Sequence, residues 1–178
     1  MISWGALVLA ALTATTGTGL AGIRYNAPPP DFAIPSPDGT RYLSDLRGRV
    51  VVLDFWASWC QVCIDEMKDF VRAQQSFGDR LAVLTISPDS HDVAATYFRF
   101  AKITLPVIQD SAGRISGAYS VSKIPVTVVL DPNGNVSFVS VGAIDWAELR
   151  RAIEQASGAP AAPFDPQSPS TPSPRVLQ

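Results

Sequence analysis

The chain of 178 residues predicts an α/β fold, with a mixed sheet flanked by helices. Two observations carry this. Apolar runs at 49–55 and 81–86 alternate with stretches of helical periodicity, the pattern of strands buried on both faces. Later, strand-like runs at 125–130 and 136–141 flank Asp131-Pro132-Asn133-Gly134-Asn135, a hairpin signal that brings in antiparallel pairing.

The elements follow in order. Phe32 to Ile34 and Arg41 to Leu43 flank Pro-Ser-Pro-Asp-Gly-Thr, whose turn chemistry predicts a short N-terminal hairpin. Ser44-Asp45-Leu46 reads as one helical turn ended by Gly48, and 49–55 (RVVVLDF) as a central strand. Residues 60–77 carry Val62, Met67, Phe70, Val71 and Phe77 at helical spacing, closed by Gly78. After the strand 81–86, Pro88-Asp89-Ser90 opens a helix to Ala101 with Val93, Tyr97, Phe98 and Phe100 among its apolar positions. A short strand at Leu105–Ile108 and a short helix at Ala112–Tyr119 precede the late hairpin. Ile144 to Ala156 forms the last helix, with Trp146, Leu149 and Ile153 on one face.

A hydrophobic fraction of 47% against 17% charged residues is enough for one globular core. The net charge of −2 and the lack of a basic stripe argue against nucleic acid as a partner. Residues 1–26 read as a membrane anchor or a cleaved signal segment, two alternatives the sequence leaves open, because no charge occurs before Arg24. Ala27-Pro28-Pro29-Pro30 reads as a stiff spacer. The globular domain is assigned to 27–158 and a disordered, proline-rich tail to 159–178. Together these place the protein outside the cytoplasm.

The two cysteines, Cys60 and Cys63, are spaced C-x-x-C. They are too few for a disulfide framework, and the one histidine, His91, lies too far along the chain to complete a zinc site. His91 itself reads as a solvated residue at a helix start. The pair therefore reads as a redox couple, with no metal and no cofactor expected. It sits where a buried strand ends and a helix begins, and a helix N-terminus stabilises a thiolate. Cys60 is then the attacking nucleophile and Cys63, one turn inward, the resolving thiol. Asp54 stands inside an apolar run, where an unpaired carboxylate costs several kcal/mol. It is a candidate acceptor for the Cys63 proton. The alternative is that it faces a polar pocket or pairs with a lysine. Glu66, three residues after Cys63, is a second candidate, set against an ordinary solvated helix position. Trp59 reads as substrate-facing, while Trp56 fits the core equally well. At Pro125, either a cis Ile124–Pro125 bond or a plain strand-start proline fits the sequence.

V-V-L-D-F-W-A-S-W-C-Q-V-C resembles the active-site segment of thioredoxins. D-F-A-I-P-S-P-D-G-T-R-Y-L-S-D-L-R-G-R-V, the insertion between Ser87 and Tyr119, and I-P-V-T-V-V-L-D-P-N-G resemble exported thioredoxin-like proteins of the TlpA/ResA type. The likeness spans residues 30–157 or so. It implies a thioredoxin fold with an N-terminal β-hairpin extension and a central αβ insertion. It further implies that Pro125 is a cis-proline beside the cysteine pair, shaping a substrate-binding groove with Ile124 and Trp59. Asp54 matches the buried aspartate of thioredoxins, a place where many TlpA-like proteins have asparagine. Glu66 matches the glutamate of a C-x-x-C-x-x-E pattern. Two departures stand out: Val62 and Met67 occupy places that commonly hold proline.

The function this implies is a thiol–disulfide oxidoreductase reducing selected protein disulfides, for example in cytochrome c maturation, with electrons from a membrane thiol donor protein. A monomer is expected. The alternatives are a thiol oxidant or isomerase, a thiol peroxidase of peroxiredoxin-like type, and a copper-binding module. The peroxidase reading is weakened by Ala57, three residues before Cys60, where those enzymes carry threonine.

Overall fold

A computed structural model of the chain describes residues 22–37 and 39–158. Strands β1 (Ala33–Ser36) and β2 (Gly39–Tyr42) pair antiparallel as a separate hairpin, followed by a single 3-10 turn at Leu43–Leu46. The main sheet contains β3 (Val50–Phe55), β4 (Leu81–Ser87), β5 (Val107–Gln109), β6 (Val126–Leu130) and β7 (Val136–Val141). Its order is β5-β4-β3-β6-β7. The pairings of β3 with β4 and of β4 with β5 are parallel; those of β3 with β6 and of β6 with β7 are antiparallel. The helices are α1 (Gln61–Phe77), α2 (His91–Ala101), α3 (Arg114–Ala118) and α4 (Trp146–Ser157).

β3 is central and every one of its residues is buried. Successive side chains point to opposite faces of a strand. Val50, Val52 and Trp56 accordingly enter one apolar cluster with Cys63, Met67 and Phe70 of α1 and Leu149 and Ile153 of α4. Val51, Leu53 and Phe55 enter a second cluster on the opposite face, with Ile86, Val128 and Tyr119. A valine-rich run without alternation is what burial on both sides demands.

Local chemistry moves several boundaries. Pro106, with no N–H to give a ladder, stays just outside β5, although its carbonyl accepts from both the Thr85 backbone N–H (3.0 Å) and the Thr85 hydroxyl (2.9 Å). Helix α3 starts late because the Asp110 carboxylate caps it, accepting from the N–H groups of Ile115 (3.0 Å) and Ser116 (2.8 Å). The last helix starts at Trp146 because Asp145 accepts from Glu148 N–H at 2.8 Å. On α2 the inward positions are Ala94 and Phe98, one turn apart, so Val93 and Phe100 fall off the buried face. Val62, in the first turn of α1, is likewise exposed, ahead of the point where the helix meets the sheet at Cys63 and Met67.

Residues 25–30 do not lead away from the domain as a free spacer. Asn26 N–H donates to Val136 O (2.9 Å), Val136 N–H to Ala27 O (3.0 Å), and the Tyr119 hydroxyl to Pro30 O (2.8 Å). A proline-rich segment has few donors of its own, so the domain supplies the donors for its carbonyls. Ile23 is buried in the second cluster. Tyr119→Phe is expected to cost about 1–2 kcal/mol, because it strands the Pro30 carbonyl. Urea unfolding checks this. Among the described residues no helix is long and apolar enough to cross a membrane. The anchor-or-signal reading falls mainly on residues 1–21, and the tail reading on 159–178; both stretches lie outside the described residues.

Candidate active site

Cys60 and Cys63 are joined as a disulfide. Cys60 is the N-cap of α1, and its Sγ accepts the Cys63 backbone N–H at 3.3 Å. The first turn carries no acidic residue. A thiolate formed at Cys60 on reduction therefore meets a ready N–H donor and the positive end of the helix dipole. Cys60 is half-buried while Cys63 is fully buried, so only the first sulfur is open to an incoming disulfide.

The cysteine loop is fastened from two sides. Trp56 N–H donates to Ile86 O at 3.0 Å, and the Ser58 N–H donates to an Asp89 carboxylate oxygen at 2.7 Å. The same Asp89 oxygen accepts the Ser87 hydroxyl (3.1 Å). In the sequence Asp89 reads only as part of a helix start. Its position at the end of the strand that parallels β3 was the available signal for this bracing role. Trp56 is core, stacked on Phe98 with ring centroids 5.0 Å apart. Trp59 is 72% exposed beside Cys60.

The Ile124–Pro125 bond is cis. Register locates it: Phe55 pairs with Val126, so one step further Pro125 stands opposite Trp56, at the sheet end from which the cysteine loop departs. Ile124 packs against both apolar clusters, and Cys60 borders one of them. The Pro125 carbonyl is engaged by Gly142 N–H at 2.9 Å.

The two carboxylates are both buried. Asp54 is fully enclosed, and neither of its oxygens has a hydrogen-bond partner among the described residues. This rules out the lysine-paired alternative. Burial, and secondarily the nearby Glu66 charge, hold its proton affinity well above the ordinary aspartate range. Glu66 is 5% exposed rather than solvated. One of its oxygens accepts the Ile144 N–H at 2.9 Å, and the other has no partner among the described residues. Burial pushes Glu66 up to about 7, against the pull of the Ile144 bond, and Asp69 adds to the rise. Cys63 packs with Val52 and Trp56, the two residues flanking Asp54 on its face of β3. The resolving sulfur and both carboxylates thus share one buried interior, with half-buried Cys60 and exposed Trp59 at its edge and the buried Pro125 at the same sheet end.

Close to Cys60 in the chain, Ser58 joins Asp92, Val93, Thr96, Tyr97 and Phe100 in lining a groove whose surface is mostly apolar. Phe100 is 87% exposed. In the sequence Val93, Tyr97 and Phe100 read only as apolar helix positions, since periodicity does not tell an inward face from an outward one. His91 is exposed, 4.0 Å from the Asp92 carboxylate.

Residues 26–139 match the signature of the AhpC/TSA family. The thioredoxin-like protein YneN of Bacillus subtilis is 31% identical over 138 residues, covering 75% of this chain and 81% of that protein. The thiol-disulfide oxidoreductase ResA of Geobacillus thermodenitrificans is 28% identical over 129 residues, 70% of this chain and 74% of that one. Among solved structures, a thiol:disulfide interchange protein of the thioredoxin family from Chlorobium tepidum superposes with a TM-score of 0.63 at 26% identity, over 75% of this chain and 97% of that one. The exposed lipoprotein thioredoxin of Streptococcus pneumoniae does so with 0.59 at 28% identity, over 71% and 99%.

Proposed function

We propose, from the premise that the chain belongs to the AhpC/TSA family and is a thiol–disulfide oxidoreductase of thioredoxin-like fold, that it works outside the cytoplasm as a reductant of a narrow set of protein disulfides. The observation that carries this is the cysteine pair at the leading end of α1, one sulfur half-buried and the other enclosed with two buried carboxylates. In the reduced protein the Cys60 thiolate attacks a substrate disulfide. A mixed disulfide forms and one substrate thiolate leaves. Cys63 then loses its proton to Asp54 or Glu66 and attacks the Cys60 sulfur. The intramolecular disulfide closes and the second substrate thiolate departs. Two electrons pass from the cysteine pair to the substrate.

In this reading Trp59, Ile124 and Pro125 line the substrate-binding groove. A membrane thiol donor protein restores the dithiol, the chain acts as a monomer, and apocytochrome c is the model substrate. The domain assigned to 27–158, against which Ile23 to Asn26 also pack, lies between an N-terminal anchor or signal and a C-terminal tail. The uncharged N-terminal run supports an extracytoplasmic place, as does the likeness to an exposed lipoprotein thioredoxin.

The test is the equilibrium potential of the Cys60–Cys63 couple against glutathione or dithiothreitol. A value near about −270 mV supports a reductant, and one near about −120 mV makes the protein an oxidant. The exposed groove beside Ser58 gives a second expectation. Val93→Ser combined with Phe100→Ser is expected to raise the KM for a protein disulfide about tenfold, the worth of one buried apolar side chain. The cost with glutathione disulfide, too small to cover the groove, should be several-fold less.

A further inference from the structure

β6 is buried throughout, yet it carries a hydroxyl at Thr127. The ladder fixes what that hydroxyl faces. Asp54 pairs with Thr127 across the antiparallel β3–β6 ladder and with Thr85 across the parallel β3–β4 ladder. Paired residues stand on the same face of a sheet. Thr85, Asp54 and Thr127 therefore form a transverse polar row, fully buried, on the face covered by α1 and α4. The Thr85 hydroxyl is already committed to Pro106 O at 2.9 Å. The Thr127 hydroxyl has no partner among the described residues, and neither does either oxygen of Asp54. Directly opposed residues hold their Cβ atoms roughly 4.5–5.5 Å apart, and no direct hydrogen bond joins this hydroxyl to the carboxyl in this structure, so the two meet across one water or after a turn of the Thr127 side chain.

We propose that Thr127 is a positioning residue for the exchange reaction: its hydroxyl, across one bridging water or after a turn of its side chain, binds the Asp54 carboxyl and sets how readily that carboxyl takes and returns the Cys63 proton. This rests on the reading that Asp54 handles that proton. A hydroxyl that donates to a carboxylate favours the charged form, and one that accepts from the acid holds the proton in a defined direction. The titratable groups facing Asp54 come from α1, namely Cys63 and Glu66. The neighbouring strands bring only the hydroxyls of Thr85 and Thr127. The turn before α4 contributes the Ile144 N–H, spent on Glu66.

The experiment is the pH profile of single-turnover disulfide reduction in the full-length protein, for Thr127→Val, Thr127→Ser and Asp54→Asn. Valine keeps the shape and removes the hydroxyl. The rising limb is expected to move up by roughly one pH unit in T127V, the equivalent of one lost hydrogen bond to a charged group. T127S is expected to restore the parent profile, and T127V should add nothing on top of D54N. The carboxyl C=O stretching band that D54N abolishes should shift in T127V, a readout that packing alone does not move. A parent-like profile and band in T127V, with an altered profile in D54N, overturns the role of Thr127 while leaving Asp54 in place. A parent-like profile in D54N overturns both. Should T127V fold poorly, Thr127→Ala, which also lacks the hydroxyl, must show the same shift, and a parent-like profile there overturns the proposal.

Discussion

Replacing Cys60 by serine is expected to drop disulfide exchange to the uncatalysed background, a loss of at least about 10³-fold, because it removes the nucleophile. Serine keeps the N-cap geometry, since its hydroxyl can accept the Cys63 N–H as the sulfur does. The fold should therefore survive, and far-UV circular dichroism of the variant should match the parent. Cys63→Ser is expected to behave differently. Its half-buried nucleophile, Cys60, remains, so it should attack one substrate disulfide and stop. The result is a covalent adduct that dithiothreitol releases, visible as a mass increase equal to the substrate. The asymmetry follows from burial: Cys63 is enclosed in the core and bonds to the Cys60 sulfur. If C63S turned over like the parent, the two-thiol mechanism would be wrong.

Asp54→Asn is expected to make the protein more stable and less active. Its folded-state proton affinity lies well above the ordinary aspartate value. The folded protein thus binds more protons than the unfolded chain above pH about 4, and stability falls as pH rises through the folded pKa. The contribution is complete below the unfolded pKa and is lost on the alkaline side. Glu66 acts with the same sign between 4.5 and about 7. Asparagine has nothing to ionise. D54N should match the parent near pH 4 and exceed it by about 1–3 kcal/mol at pH 8 to 9, the cost of enclosing a polar group away from water. Urea titrations at the two pH values measure the difference. The resolving step should slow by roughly 10²-fold, the low end for a lost general base. Gain in stability with loss of rate marks a residue kept for chemistry. A variant less stable than the parent at pH 8, or equally fast, contradicts the proton-handling role.

Much of the site could be read along the chain because its signals are local. A C-x-x-C after a valine-rich strand and at the head of an amphipathic run needs no tertiary knowledge to suggest a thiolate at a helix N-terminus. Asp54 was conspicuous for the same reason: a carboxylate has no cheap place in a run of buried valines. Thr127 sits in an equally apolar run without standing out, since a hydroxyl is a smaller anomaly than a charge. Glu66 could not be resolved from helical spacing, because three residues from Cys63 allows either a buried or a wet orientation. Only the approach of Ile144, 78 residues further on, closes its side of the helix.

What the sequence alone determined is the alternation of strand and helix, the two-sided burial of β3 and the placement of the sulfurs. All of these arise from the period of the apolar pattern and from neighbours within a turn or two. Tertiary structure decided the rest: the cis bond at Pro125, the Asp89 brace on the cysteine loop, the outward face of α2, the run of residues 25–30 along the domain, and the row from Thr85 through Asp54 to Thr127. Each of those depends on which strand lies beside which and in what register. Pairing across a sheet joins residues far apart in the chain, and no local period records it.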